Sequence, residues 1–326
     1  MLGFLRPKRR LEAVPRVPPR MVAFEGETMG TTYQVQAVVK RNLDETKLAA
    51  QIFDAVDAVD LQMSTWKPES DLSRFNAARV GEWISVSRDL VQVVAAALAI
   101  SKSTQGAFDI TVGAAVNAWG FGPDGAPQCA PDAAPKGVWR ELDVQEDPPA
   151  LRKHVPMYVD LSGIAKGFGV DQICAVLAAH DVTDFLVSID GETRVSGRKP
   201  GVAGGWRVAV DMPVSGTSDV WDVLQPLNCA VATSGDYRRY FDHDGIRYAH
   251  TIDPATGQPV HGGAASVTVM MPRCMLADAW ATALLVLGPD RGVAIAQARN
   301  ISALFLFHEG RGIRDVTTGD FSSCLS

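Results

Sequence analysis

Short strand-like segments are crowded between residues 185 and 271, and this crowding limits the possible folds more than any other feature of the chain. The segments are FLVSI, WRVAV, CAVAT, YAHTI and ASVTVMM. A doubly wound fold would place a helix after almost every strand, and this spacing leaves no room for one. The sequence therefore predicts an α+β fold, a single compact domain of mixed sheets flanked by helices.

A strand followed by a helix is expected near the start of the chain. Residues 33–39 alternate apolar and polar side chains, as a half-buried strand does. The next segment repeats apolar residues at helical spacing, at Leu48, Ile52, Val56 and Val59. The period of the pattern thus changes from that of a strand to that of a helix.

Further helices are marked by caps and by apolar periodicity. Ser87 has the side chain of an N-cap and precedes a helical segment that is expected to end near Gly106. Later, MYVDLSG is predicted as a strand and turn before the helix AKGFGVDQICAVLAAH. Near the end, LADAWATALLVLG and GVAIAQARN are predicted as two helices before the strand ISALFLF.

Two segments are expected to lie outside the packed core. Residues 1–20 are basic and rich in proline, which predicts a flexible arm ahead of one domain spanning residues 21–326. Residues 120–149 change to Gly, Pro, Asp and Ala, a composition typical of loops, and are interpreted as an insertion or lid.

Charge and cysteine content exclude several classes of function. The formal net charge is -6 and the pI is about 5.5, so a nucleic-acid partner is not expected. The five cysteines are widely spaced and form no CxxC pair, which disfavours a structural zinc site and predicts mostly buried thiols.

The chain carries no recognisable targeting or membrane-spanning segment. Pro and Arg interrupt the first residues before any apolar stretch of signal-peptide length, and no lipid-accepting cysteine is near. No stretch approaches the length of a membrane span. We therefore expect a cytoplasmic protein without stable membrane insertion.

The segment VDLSGIAKGFGVDQI, residues 159–173, joins a predicted strand to a predicted helix through a glycine-rich turn. It matches neither the Walker pattern nor GxGxxG. Free amides at the helix start and the Lys166 ammonium would favour an anionic ligand, and Asp160 would accept a hydrogen bond from it. The alternative is that the glycines serve packing and Lys166 is a solvated side chain.

Two other places hold residues suited to chemistry. His250 precedes a tight turn in HTIDPATG and follows the hydroxyl-rich segment that contains Ser234 and Tyr237, although a lone histidine is more often structural. Asp278 and Thr282 are four residues apart and share a helix face, where a carboxylate and a hydroxyl suit Mg²⁺. The alternative is an N-terminal Asp stabilised by the helix dipole and a Thr bonded back to the helix.

Seven motifs taken in order resemble the ApbE family of FAD:protein FMN transferases over residues 24–308. They are MGTTYQV, W-x₃-SDLSRFN, GAFDITVGAAVNAWGFG, VDLSGIAKGFGVDQI, ATSGDYRRYF, HTIDPATG and ADAWATALLVLG. The resemblance implies an ApbE-like fold related to the T-fold. It also implies Mg²⁺-dependent transfer of the FMN half of FAD to a Thr or Ser hydroxyl of an acceptor flavoprotein, with release of AMP.

The resemblance also assigns site residues. It places the flavin and adenine contacts on Met29, Trp66, Ala107, Phe108, Asp109, Asp160, Lys166 and the segment His250 to Ile252. It places the metal on Asp278, Thr282 and the backbone carbonyl of Gly163. Trp66 would stack on a ring of FAD rather than sit in the core, because its sequence neighbours are polar. His250 is the candidate general base, with Asp278 acting through a water as the alternative.

Several questions stay open at this point. The same site would also serve an FAD pyrophosphatase, with water as the nucleophile, or a carrier that binds FAD without cleaving it. The acceptor is expected to carry a motif such as D-x-x-[ST]-G-A-[ST]. Many relatives have an export or lipoprotein signal, so a periplasmic, membrane-associated location is expected instead if the true start of the chain differs.

Overall fold

The computed structural model describes residues 19–123, 135–214, 219–236, 240–243, 246–310 and 312–325. The helices are α1 (Glu45–Met63), α2 (Asp71–Ala77), α3 (Arg88–Ser103), α4 (Gly113–Ala118), α5 (Ala165–Ala179) and α6 (Cys274–Ala298). The strands are β1 (Arg20–Thr28), β2 (Thr31–Val39), β3 (Ile84–Ser85), β4 (Leu142–Gln145), β5 (Ala150–Lys153), β6 (Phe185–Ile189), β7 (Glu192–Ser196), β8 (Val208–Asp211), β9 (Val220–Leu224), β10 (Cys229–Gly235), β11 (Tyr240–His243), β12 (Ile246–Ala249), β13 (Ile252–Asp253), β14 (Gln258–Pro259), β15 (Ser266–Met271), β16 (Ser302–Glu309) and β17 (Gly312–Thr318).

An eight-stranded sheet organises the chain. Its strand order is β1-β2-β6-β7-β10-β15-β16-β17, and each neighbouring pair is antiparallel. Smaller sheets are formed by β3-β5-β4 and by three hairpins. Strands from the beginning, middle and end of the chain therefore lie side by side, and the α+β prediction is confirmed.

Helices cover one face of the large sheet. α5 packs on β6 and β7, α6 packs on β10 and β15, and α1 packs on α5. The opposite face carries a smaller apolar cluster that includes Val231, Leu304 and Phe321. None of the described helices is both long and apolar enough to cross a bilayer.

The periodic segments fold as their patterns predict. In β2, Tyr33, Val35, Ala37 and Val39 are buried, as strict alternation requires. In α1 the buried side chains include Leu48, Ile52, Val56 and Val59, and α3 begins with the Ser87 Oγ accepting from the backbone N–H of Leu90 at 3.2 Å. The predicted helix after the glycine-rich turn is α5.

Other predictions are wrong in detail. MYVDLSG forms no regular strand. On one edge it makes a single parallel bridge, Tyr158 with Val112, and on the other the Asn76 side chain replaces a partner strand and bonds both the N–H and the C=O of Val159 at 2.8 and 2.9 Å. YAHTI is interrupted between β12 and β13. By contrast, the two predicted C-terminal helices are both present, because the backbone within α6 is non-helical at Gly288 (φ 73°, ψ -172°), just before Pro289, and this kink separates two helical segments. WRVAV begins as a strand only at Val208.

The predicted arm and lid are only partly described. Residues 1–18 and 124–134 lie outside the described residues, and β1 begins at Arg20, the last residue of the predicted arm. The segment 135–149 is not all loop, because it contains a 3₁₀ turn at Trp139–Glu141 and then β4.

The N-terminal turns of α5 and α6 hold each other. Asp171 of α5 accepts hydrogen bonds from the N–H groups of Cys274 and Met275 at 3.0 and 3.1 Å. Asp278 of α6 accepts one from the N–H of Gly167 at 3.0 Å. Each carboxylate thus satisfies amides that the other helix leaves unpaired at its start. We call this arrangement the α5–α6 clasp.

Gly167 permits the close approach of these helices. A Cβ on Gly167 would lie 2.7 Å from the carbonyl carbon of Cys274 and 2.8 Å from the Cα of Met275, both rigid backbone atoms. We expect Gly167→Ala to lower the free energy of unfolding by about 1–3 kcal/mol, despite the higher helix propensity of alanine. Chemical denaturation measures this change.

Gly169→Ala is the matched control in the same helix. Its Cβ would meet only side-chain ends, the Met29 Cε at 2.7 Å and the Ile189 Cδ1 at 3.0 Å, which can move. We expect its stability to stay within about 1 kcal/mol of wild type. Equal destabilisation by the two substitutions would contradict the importance of the clasp.

Candidate active site

A cleft of about 610 Å³ opens beside the α5–α6 clasp. It is lined by all twelve residues that sequence reasoning assigned to the site, namely Met29, Trp66, Ala107, Phe108, Asp109, Asp160, Gly163, Lys166, His250, Ile252, Asp278 and Thr282. The fold therefore brings together residues from distant parts of the chain. Their individual roles stay predictions.

Two adjacent hairpin turns form one side of the cleft. The turn between β1 and β2 consists of Met29 and Gly30, and the turn between β6 and β7 consists of Asp190 and Gly191. All four residues have positive φ, with 47° at Met29 and 52° at Asp190. A two-residue hairpin turn of type I′ requires positive φ at both of its central residues. Because β2 and β6 are neighbours, the turns lie side by side and present Met29 and Asp190 to the cleft.

Lys166 is held by two carboxylates of the second hairpin. Its Nζ lies 3.1 Å from Asp190 Oδ2 and 3.1 Å from Glu192 Oε1, and its side chain is only 24% exposed. The solvated lysine weighed from the sequence is therefore wrong. Burial by itself lowers the pKa of Lys166, but the carboxylates of Glu192, Asp278 and Asp190 outweigh it and hold the pKa above its ordinary value.

Neither Asp190 nor Glu192 was predicted as a site residue. The signal that could have found them is the Asp-Gly pair between two alternating segments, FLVSI and ETRVS, which is a strong hairpin pattern. Sequence alone does not show that this hairpin points at the start of α5. The juxtaposition depends on the pairing of β6 with β2 and the packing of α5 on β6.

Burial raises the pKa of two of the acids around Lys166, Glu192 and Asp278. It raises the pKa of Glu192 to about 8, with the Lys166 ammonium opposing the shift, and the Glu192 Oε2 is buried without a hydrogen-bond partner in the described part of the chain. Burial also raises the pKa of Asp278 to about 6, opposed by Lys166 and by the N–H of Gly167. With all groups ionised, one ammonium faces three carboxylates, a formal charge of about -2 that favours a divalent cation.

Candidate oxygen donors for such a cation line the cleft beside the clasp. Asp278 is buried on α6, and Thr282 follows one turn later on the same face. A Cβ built on Gly163 would lie 3.2 Å from Thr282 Oγ1, so the glycine turn packs directly on that hydroxyl. A carboxylate, a hydroxyl and a backbone carbonyl are hard donors that fit Mg²⁺, which keeps several waters. Within the described ranges, no group of three or more Cys, His, Asp or Glu side chains is arranged to bind a metal.

Asp109 is engaged by the protein itself. Its Oδ1 accepts from the Thr111 N–H at 2.8 Å and the Thr111 hydroxyl at 2.7 Å, and its Oδ2 accepts from the Trp139 N–H at 3.2 Å. Burial raises the pKa of Asp109. Asp109 therefore fastens Trp139, which lies in the described part of the predicted lid, to the cleft, and its partner Thr111 accepts from the Val138 N–H at 2.6 Å. Its predicted contact with FAD is untested.

Trp66 projects from a rigid corner at the cleft rim. Its indole is 68% exposed, so a core role is wrong. The Ser64 Oγ accepts from the Trp66 N–H at 3.1 Å, and the Ser64 carbonyl accepts from the hydroxyls of Ser70 and Ser73 at 2.6 and 3.1 Å. An exposed aromatic on a fixed backbone is suited to stacking on a flat ligand.

His250 lies between β12 and β13 on the wall of the cleft. It is half-buried, and its ring meets that of Phe121 edge-on at 6.3 Å. The turn that follows is fixed by the Trp119 Nε1, which donates to the Gly257 carbonyl at 2.8 Å. Ser234 also lines the cleft, whereas Tyr237 lies outside the described residues.

Comparison with known sequences indicates one family. The family model described as the ApbE family matches residues 29–305. An FAD:protein FMN transferase of Vibrio cholerae serotype O1 is 39% identical over 316 residues, covering 95% of this chain and 94% of that protein. One from Haemophilus influenzae is 38% identical over 310 residues, covering 90% of this chain and 88% of that protein.

Solved structures agree. The flavin transferase ApbE from Vibrio cholerae aligns with a TM-score of 0.83 at 37% identity, covering 94% of this chain and 100% of that one. The apo form of the Pseudomonas stutzeri flavinyl transferase ApbE aligns with a TM-score of 0.85 at 34% identity, covering 95% and 98%. The resemblance inferred from the seven motifs is thereby confirmed.

The raised pKa of Glu192 predicts a pH dependence of stability. The folded state keeps a proton on Glu192 that the unfolded state loses, so this contribution is full below about pH 4.5 and is lost as the pH rises through about 8. The free energy of unfolding of the wild type should therefore fall between about pH 4.5 and pH 8. We expect Glu192→Gln to make this fall smaller, by an amount on the order of 1–4 kcal/mol. Urea denaturation at several pH values with a chelator present measures it.

Glu141→Gln, at an exposed glutamate, serves as the control and should keep the wild-type slope. Parallel pH curves for the wild type and Glu192→Gln would show that the prediction is wrong.

Proposed function

This chain belongs to the ApbE family, and from that premise we propose that it is an enzyme that transfers the FMN half of FAD to an acceptor protein. In this proposal a Thr or Ser hydroxyl of an acceptor flavoprotein forms a phosphoester with FMN, and AMP is released. The observation that carries the proposal is that Asp278, Thr282 and Gly163 line the same cleft as Lys166 and its carboxylate partners, and that an exposed tryptophan lines this cleft as well.

The reaction needs a nucleophile, a leaving group and a proton acceptor. The acceptor oxygen attacks the phosphorus on the FMN side, and the bond from that phosphorus to the bridging oxygen breaks. The bridging oxygen leaves with AMP, and the hydroxyl proton passes to a base. His250 is our candidate for that base, since it lines the cleft and a histidine titrates near neutral pH. Asp278 acting through a water is the alternative.

Asp278, Thr282 and the Gly163 carbonyl would hold Mg²⁺ in this proposal. When bound, Mg²⁺ would neutralise charge on the pyrophosphate and on the departing AMP oxygen. The charge of the cleft supports this assignment. Even with Glu192 protonated, the Asp190 and Asp278 carboxylates outnumber the one ammonium and repel a pyrophosphate unless a cation is present, so Lys166 alone does not make an anion site.

The remaining residues would orient the dinucleotide. Trp66 offers a face for a ring of FAD, and Met29, Phe108 and Ile252 supply apolar contacts along the cleft. Asp160 holds its own turn by accepting from the N–H of Ser162 at 2.8 Å and from the Ser162 hydroxyl. These groups would position the phosphorus for in-line attack, which is the main protein contribution to phosphoryl transfer.

A direct assay tests the proposal. The protein is incubated with FAD and Mg²⁺, with and without an acceptor domain that carries a D-x-x-[ST]-G-A-[ST] motif. We expect AMP and a fluorescent acceptor band on a denaturing gel only when the acceptor is present, and a mass increase of one FMN. Free FMN without acceptor would indicate a pyrophosphatase, and intact bound FAD would indicate a carrier.

Thr282 tests the metal assignment. Thr282→Val removes the hydroxyl while keeping the shape, and we expect it to lower the transfer rate roughly 100- to 1,000-fold, because charge stabilisation in the transition state is lost. Thr282→Ser keeps the hydroxyl and should stay close to wild type. Similar rates for Thr282→Val and the wild type would remove Thr282 from the site.

Trp66 tests the ring-stacking assignment. We expect Trp66→Ala to weaken FAD binding by roughly 1–3 kcal/mol, on the order of 5- to 150-fold, with Trp66→Phe intermediate. Trp83→Ala is the control, since Trp83 is 41% exposed just before β3, packs under Arg152 and does not line the cleft. A titration that follows flavin fluorescence measures both. Unchanged affinity in Trp66→Ala would contradict stacking.

A further inference from the structure

The hydroxyls of Ser234 and Thr282 form a hydrogen-bonded pair at the floor of the cleft. The two oxygens are 2.9 Å apart, and both residues line the cleft. Ser234 is on β10, and Thr282 is on α6, which packs against that strand. Among the described residues this is the one hydrogen bond of the Thr282 hydroxyl, so the bond back to its own helix that was weighed from the sequence is not formed.

The direction of this bond matters for a cation. Each hydroxyl has one proton, and either oxygen can be the donor in the free protein. A bound cation repels the Thr282 proton and attracts the lone pairs of its oxygen. Donation from Thr282 to Ser234 meets both demands, because the proton is directed to β10 and the lone pairs are left for the ion.

We propose that Ser234 is a positioning residue for the divalent ion: its oxygen accepts the Thr282 proton and turns the Thr282 lone pairs toward the space between Asp278 and the Gly163 turn. This inference rests on the metal site of the proposed function. It adds a residue that acts through Thr282.

The surroundings of Ser234 suit this task. β10 lies inside the large sheet between β7 and β15, and Ser234 pairs with Val267 of β15. The backbone that carries Ser234 is therefore held by β15, while β7 pairs with the earlier part of β10, residues 229–231. The other predicted side-chain ligand, Asp278, has its own outer partner in the N–H of Gly167 at 3.0 Å. Each side-chain donor thus has one hydrogen bond that orients it, as ligands of metal sites usually do.

Manganese binding tests the proposal without measuring turnover, because Mn²⁺ prefers the same oxygen donors as Mg²⁺ and is detected by electron paramagnetic resonance. Mn²⁺ is titrated into protein with excess FAD and no acceptor, and into FAD alone as the baseline. We expect Ser234→Ala to raise the Mn²⁺ dissociation constant roughly 10- to 100-fold. Ser234→Thr, which restores the hydroxyl, should recover the wild-type affinity.

Thr268→Val is the matched control. It breaks a hydroxyl pair of the same length, because the hydroxyls of Thr233 and Thr268 are also 2.9 Å apart. Thr233 is the residue next to Ser234 on β10, and Thr268 is buried and does not line the cleft. We expect it to bind Mn²⁺ like the wild type. If the core tolerates Ser234→Ala poorly, Ser234→Cys keeps the volume with a weak acceptor and should show the same loss.

The outcomes separate this inference from the proposed function. Equal Mn²⁺ affinity in the wild type and in a folded Ser234→Ala or Ser234→Cys variant overturns the role of Ser234 and leaves the metal site standing. A loss of the same size in Thr268→Val also overturns it. If the wild type takes up no more Mn²⁺ than FAD alone does, the metal part of the proposed function fails, and the inference fails with it.

Discussion

The α5–α6 clasp is the interaction on which the rest of the site depends. Helix starts leave amides unpaired, and here two helices satisfy each other's amides through Asp171 and Asp278. The exchange works only at the short distance that Gly167 allows. It also sets the positions of Lys166, the residue before Gly167, and of Thr282, one turn beyond Asp278. The packing of these two helices therefore also determines the geometry of the cleft.

The clasp concentrates negative charge in a buried place, which is costly by itself. Glu192 and Asp278 both resist ionisation there, and Lys166 compensates only part of the charge. The β6–β7 turn supplies both carboxylates that hold Lys166, Asp190 within the turn and Glu192 just after it. A fold selected for stability alone would gain by replacing such a cluster with apolar side chains. Its presence at the wall of the cleft is best explained by a ligand that brings positive charge.

Sequence patterns correctly predicted the helices and strands that depend on interactions within one segment of the chain. The period of apolar residues located β2, α1, α3 and α5, and helical spacing placed Asp278 and Thr282 on one face. The missed features depend on contacts between distant segments. Asn76 replaces a strand beside Val159, and Asp190 reaches Lys166 only because β6 joins β2. The grouping of the site residues in one cleft followed from family resemblance, because no pattern within one segment encodes it.

The donor set is small, and this bears on how the proposed reaction would proceed. One carboxylate, one hydroxyl and one carbonyl fill about half of the octahedral shell that Mg²⁺ requires. Asp190 and Glu192 contact Lys166 at 3.1 Å each, so neither is counted among the proposed donors to the ion. The open half of the shell is then left for water and for phosphate oxygens. In the proposed reaction, such a site would hold its ion weakly until the dinucleotide arrives, and the pyrophosphate itself would complete the arrangement in which it is cleaved.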